Sequence, residues 1–167
     1  MRIAILTVSD RSARGERPDL SGPALTKAIA ANDWQVVRQA IVPDELYGIS
    51  THLAEWADSG QIEVILTTGG TGFSPRDVTP EATLSVIDRP APGIAEAMRA
   101  ASLRITPHAM LSRAVAGIRG QTLIVNLPGS PQAALENLAV ILPVLSHAVQ
   151  LLRADHDAEA RHSLPAP

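Results

Sequence analysis

Apolar residues in this chain form short runs that alternate with stretches of helical spacing. Ile3 to Val8 is one such run and reads as a buried strand. Ser21-Gly22-Pro23 follows as a helix start, with proline near the first helical position. Val36 to Val42 is a second strand, more polar and so expected nearer an edge. Glu45 to Asp58 suits a helix, and Ile62 to Thr67 is the clearest strand. Thr79-Pro80-Glu81 opens another helix by cap-then-proline logic. Ile94, Ala97, Met98 and Ala101 carry the spacing of one buried helical face.

Ala114 to Ile118 and Gln121 to Asn126 flank Arg119-Gly120 and predict a hairpin. Ser130-Pro131 starts a last helix with the stripe Leu135, Leu138, Leu142, Leu145, Val149 and Leu152. Ala134, Ile141, Val144 and Leu151 widen that stripe, and Pro143 interrupts the hydrogen-bond ladder. Strands alternating with helices imply a mostly parallel sheet covered on both faces. The predicted class is α/β, a three-layer sandwich with one antiparallel hairpin strand. Residues 1–152 read as one domain. Residues 153–167 exchange the apolar pattern for charge, histidine and two late prolines, and read as a flexible tail.

Composition narrows the function. A chain of 167 residues suits a single core, and 46% hydrophobic residues exclude a disordered chain. A net charge of −3 leaves no basic surplus for a nucleic-acid duplex. Four aromatics, Trp34, Tyr47, Trp56 and Phe73, are too few for a single-strand stacking platform. With no cysteine, thiol nucleophiles, thiolate metal sites and disulfides are excluded. The five histidines, at 52, 108, 147, 156 and 162, form no metal-ligand or hydrolase spacing. The Ile3–Val8 run is shorter than the roughly 7–15 apolar residues of a signal peptide. The uncharged stretch from Asn137 to Leu152 falls short of the roughly 18–20 residues that span a bilayer. The expected location is the cytoplasm, with no membrane partner.

In an open parallel sheet, ligands bind beyond the carboxyl ends of the strands. There the sequence offers Ser9, Asp10 and Arg11 after the first strand, and Pro43 and Asp44 after the second. Thr68-Gly69-Gly70-Thr71-Gly72, Arg76 and Asp77 follow the third, and Asn126 to Pro131 the last. The expectation is one cleft ringed by Asp10, Asp44, Gly70, Asp77 and Gly129. The glycine segment either makes a tight turn or cradles an anion with its N–H groups. Asp44 either caps the helix after it or binds cations, and Asp77 either braces its own loop or does the same. Together, beside a glycine loop, the pair suits a magnesium–phosphate site. Arg11, Arg76 and Arg113 are potential phosphate contacts, though loop arginines are more often solvated charges. Ser112 has no visible base partner and reads as structural.

At these residues the sequence resembles the molybdopterin adenylyltransferase family of the Mog/MoaB type. The matching stretches are LTVSDR at 6–11, SGPAL at 21–25, VPDE at 42–45 and LTTGGTG at 66–72. They continue with SPRDVTPEAT at 74–83, PG at 92–93, ITPHAMLSRAVAGIRG at 105–120 and TLIVNLPGSP at 122–131. The resemblance spans residues 1–152, and the combination of TTGGTG, RDVTPEAT and NLPGSP is specific. It implies transfer of AMP from Mg-ATP to the terminal phosphate of molybdopterin, with release of pyrophosphate, in molybdenum cofactor biosynthesis. It also implies Asp44 and Asp77 as the essential carboxylates, with Mg2+ between them and the phosphates. Thr68, Gly69, Gly70, Thr71 and Gly72 become part of the pterin and phosphate cradle. Ser9, Asp10, Ser112, Asn126, Pro128, Gly129 and Ser130 become further substrate-binding residues. The family adds a homotrimer and a molybdenum-insertion protein as downstream partner. It also holds a second reading, a catalytically weak paralogue acting as a molybdopterin-binding or assembly module.

Overall fold

In the computed structural model, which describes residues 1–154, six strands form one sheet in the order β2-β1-β3-β6-β5-β4. The strands are β1 (Arg2–Val8), β2 (Gln35–Val42), β3 (Val64–Thr68), β4 (Arg89–Pro90), β5 (Ala116–Arg119) and β6 (Thr122–Leu127). β2, β1, β3 and β6 pair in parallel, while β5 is antiparallel to both β6 and β4. β5 alone therefore runs against the rest, as the hairpin predicted. Its turn is Gly120-Gln121, with Gly120 at φ +54. Helices are α1 (Asp10–Ala13), α2 (Ser21–Ala30), α3 (Leu46–Asp58), α4 (Thr79–Leu84), α5 (Pro92–Leu103) and α6 (Pro131–Leu152), with a 3₁₀ turn at Pro107–Leu111.

Successive strand residues point to opposite faces, and two cores result. Ile3 and Ile5 of β1, Val64 and Leu66 of β3, and Leu123 and Val125 of β6 pack against α2, α5 and α6. Ala4 and Leu6, Ile65 and Ile124 pack the other way, against α3 and α4. Coverage on both faces explains why β3 and β6 are buried at every residue, whereas edge strand β2 is mostly exposed. The fully buried row of α6 is Ala134, Leu138, Ile141, Leu145 and Val149, and Leu135, Leu142 and Leu152 flank it. The predicted stripe is thus rotated slightly, with Val144 and Leu151 left outward. At 22 residues α6 is long and apolar enough to cross a bilayer, but one face is committed to the core.

Several local expectations are corrected. β3 begins at Val64, not Ile62; β5 starts two residues and β6 one residue later than predicted, and both end one residue later. Thr79 is the first residue of α4, not its cap; its hydroxyl bonds elsewhere. Arg153, assigned to the tail, pairs with the buried Glu63 and ties the end of α6 to the base of β1 and β3. Residues 155–167 of the predicted tail lie outside the described residues.

Candidate active site

A cleft of about 710 Å3 opens at the carboxyl ends of β1, β2, β3 and β6. One wall belongs to the α2/α6 side of the sheet and carries Arg14, Arg17, Ser21, Ser130 and Pro131. The opposite wall comes from the α3/α4 side and carries Asp44, Gly70, Ser74, Arg76 and Asp77. The expected ring of Asp10, Asp44, Gly70, Asp77 and Gly129 lines this one space, as do Ser9, Thr68, Gly69 and Ser130.

Asp44 does not cap α3, whose cap residue Glu45 makes no side-chain bond. Its Oδ2 accepts the backbone N–H of Asp10 at 2.8 Å, and Asp10 Oδ1 accepts the N–H of Asp44 at 3.1 Å. This reciprocal pair locks the ends of β1 and β2 together. Arg76 reaches across the cleft and grips Asp10 with two bonds, at 2.9 and 3.0 Å. That grip holds the Asp10 carboxyl below the ordinary aspartate range. Burial pushes the Asp44 carboxyl the other way, above its ordinary range, and the charges of Asp10 and Asp77 add to the push. Asp77 Oδ2 accepts the N–H of Ser74 at 3.0 Å, so it does brace its own loop.

Asp44 and Asp77 each commit Oδ2 to a backbone N–H, while Oδ1 of each accepts no protein hydrogen bond among the described residues. Two half-committed carboxylates, with the Asp77 charge adding to the cost of ionising Asp44, suit a hard dication. Among the described residues no group of three acidic or histidine side chains forms a metal cage. Such an ion would have to complete its shell with water and phosphate oxygens.

The glycine loop is built by contacts that have no local sequence signal. Gly69 sits at φ +103, and a Cβ there would stand 2.2 Å from the Val8 carbonyl oxygen. At Gly70, φ +62, a Cβ would likewise collide with the Thr79 hydroxyl. The Gly69 N–H is spent on the Leu127 carbonyl at 3.3 Å, which removes it from the predicted cradle. Gly70, Thr71 and Gly72 donate no backbone bond to a protein acceptor among the described residues. Buried Thr79 clamps the loop, donating from Oγ1 to the Gly69 carbonyl (2.9 Å) and from its N–H to the Gly70 carbonyl (3.1 Å). Arg113 is no solvated charge. Its Nε donates to the Gly72 carbonyl at 2.7 Å, its guanidinium also binds the Asp77 carbonyl and Glu81, and its N–H donates to Thr71.

Five expected site residues stand behind the cleft surface. Thr71 and Gly72 supply the carbonyls that Arg113 holds, and the Pro128 carbonyl accepts the Thr68 hydroxyl at 2.7 Å. Asn126 is fully buried, its amide shared among Thr67, Thr83 and the Val115 N–H. Ser112 accepts the Ala114 N–H, and its carbonyl takes Arg99. Conversely, Ser12, Arg14, Arg17, Pro18, Asp19 and Leu20 line the cleft and were not expected to. Asp19, one residue before the N-cap Leu20 of α2, accepts the first helical N–H groups, those of Ser21 and Gly22, and also accepts the Thr7 hydroxyl. The available signal was an aspartate two residues before Ser21, within reach of the first unpaired N–H groups of the helix.

A family model described as a probable molybdopterin binding domain matches residues 4–147. The molybdopterin adenylyltransferase of Helicobacter pylori strain J99 is 39% identical over 158 residues, covering 93% of this chain and 90% of that protein. Gephyrin of Dictyostelium discoideum is 44% identical over 98% of this chain, which spans only 23% of gephyrin's length. The crystal structure of the molybdopterin biosynthesis enzyme MoaB from Thermus thermophilus superimposes with a TM-score of 0.86 at 52% identity, covering 90% of this chain and 95% of that one.

Proposed function

Since the chain belongs to the probable molybdopterin binding domain family, we propose that it is a molybdopterin adenylyltransferase working in molybdenum cofactor biosynthesis. One observation carries this reading. Asp44, Asp77, Gly69 and Gly70 converge on one cleft, in a chain 39% identical to an adenylyltransferase over nearly its whole length.

In the proposed reaction an oxygen of the molybdopterin terminal phosphate attacks the α-phosphorus of ATP. The bond from that phosphorus to the bridging oxygen breaks, and pyrophosphate leaves with the electron pair. The attacking phosphate is already ionised near neutral pH, so no strong general base is required. What remains is to position two anions and offset their repulsion. Asp44 and Asp77 are the residues that would hold a magnesium ion, which supplies charge neutralisation between the phosphates when bound. The free N–H of Gly70, at the cleft surface, holds the nucleophilic phosphate without adding conformational freedom. Arg11 and Arg17, which make no ion pair among the described residues, meet the remaining phosphate charge at the cleft mouth.

The reading extends to a cytoplasmic homotrimer that delivers its product to a molybdenum-insertion protein. Exposed Leu103, Ile105, Met110 and Leu111, with Val144 and Leu151 of α6, supply apolar surface for a subunit contact. A second reading, a pterin-binding module without chemistry, draws on the likeness to a short stretch of gephyrin. Pyrophosphate release that depends on molybdopterin supports the transferase. Molybdopterin binding without any such release supports the module.

A further inference from the structure

The active-site cleft has a neighbour. A shallow depression of about 450 Å3 is lined by Phe73, Pro75, Val78, Glu81 and Arg113, and it meets the main cleft at Ser74 and Asp77. Phe73 is the only phenylalanine in the chain, and it is 66% exposed. Leaving an aromatic ring in water forgoes the stabilisation its burial would give. The exposure is imposed by the backbone on either side. The Gly72 carbonyl accepts from Arg113 at 2.7 Å, and the Ser74 N–H donates to Asp77 at 3.0 Å. The ring is thus carried on backbone that is held on both sides. Beside its apolar face stands a polar edge, with Glu81 as acceptor and still 44% exposed although paired with Arg113.

An aromatic face beside such an edge fits a flat nitrogen heterocycle. Building on the adenylyltransferase reading, we infer that Phe73 is the stacking platform for the pterin ring of molybdopterin. Glu81 reads the ring's edge, and Asp77 stands where the pterin's phosphate passes into the main cleft. Edge chemistry favours pterin over adenine. The pterin amide–amine edge offers two adjacent N–H donors to one carboxylate. Adenine offers one donor beside a lone pair that the carboxylate repels.

The test varies molybdopterin and ATP independently for wild type, Phe73→Ala and Phe73→Tyr, with equilibrium molybdopterin binding measured in parallel without ATP. Phe73→Ala should raise both KM and Kd for molybdopterin about tenfold. It should leave KM for ATP unchanged, and Phe73→Tyr should stay within about twofold of wild type. A rise in the ATP KM with molybdopterin unaffected assigns the platform to adenine and overturns the proposal. Unchanged constants for both substrates overturn it, and so does a changed oligomeric state, which makes Phe73 a subunit contact. Failure of the parent reading looks different: wild type transfers no AMP, while Phe73→Ala still weakens molybdopterin binding.

Discussion

Replacing Asp44 separates its chemistry from its bracing role. The carboxylate accepts the Asp10 N–H at 2.8 Å, is half-buried, and is pushed toward the protonated form by burial and by Asp10 and Asp77. Asp44→Asn keeps an acceptor for that N–H and removes the charge. Loss of one preorganised electrostatic element costs on the order of 10²–10³ in turnover, about 3–4 kcal/mol. Stability moves the other way. A carboxyl whose folded pKa is raised contributes stability below its unfolded value, about 3.9, and loses that contribution as pH rises through the folded value. At neutral pH the charged form is a burden on the fold, so Asp44→Asn melts at or above the wild-type temperature. The advantage grows as pH rises from about 4. Asp44→Ala instead strands the Asp10 N–H and costs about 1–3 kcal/mol. For a domain of this size each kcal/mol is about 2–4 °C in Tm. Single-turnover adenylylation and thermal melts at several pH values are the assays. An Asn variant that melts well below wild type at neutral pH, in step with the Ala variant, would refute the electrostatic argument and leave Asp44 a brace.

Gly69→Ala and Gly15→Ala both put a side chain at positive φ, but a Cβ at Gly15 meets open space while one at Gly69 strikes the Val8 carbonyl. Gly15→Ala should therefore cost only about 1–2 kcal/mol in a denaturant melt, and Gly69→Ala clearly more; equal losses would remove the close-approach argument. Arg76→Ala frees Asp10, so carboxyl NMR should find its pKa moved up toward the ordinary range. The depressed wild-type value contributes stability that is lost as pH falls through it, so Arg76→Ala should lose less Tm on acidification than wild type does. Light scattering at micromolar concentration should give the mass of a trimer; a stable monomer would contradict the subunit contact.

The parts of the fold legible in the sequence are those where burial dictates composition. β1 and β3 are covered on both faces, so they read as continuous apolar runs, and the more polar β2 proved to be an edge. β4 is two exposed residues paired to β5, and α1 is one polar turn, so neither leaves a periodic trace. In the site, the carboxylates were legible because ligand sites follow strand ends. Thr79 and Arg113 were not, because their partners lie about 10 and 40 residues away and the bonds are made by backbone carbonyls of any residue type. The same reason hid the commitment of the Gly69 N–H to Leu127.

The central claim is adenylyl transfer, and the most direct test follows the α-phosphate itself. Wild-type protein is mixed with molybdopterin, Mg2+ and ATP labelled at the α-phosphorus, and the products are separated after one turnover. The account predicts label on the pterin in equal amount to the pyrophosphate released, and label reduced on the order of 10²–10³-fold in a folded Asp77→Asn protein. Label that stays entirely on ATP with molybdopterin bound, or near wild-type transfer by Asp77→Asn, would contradict it.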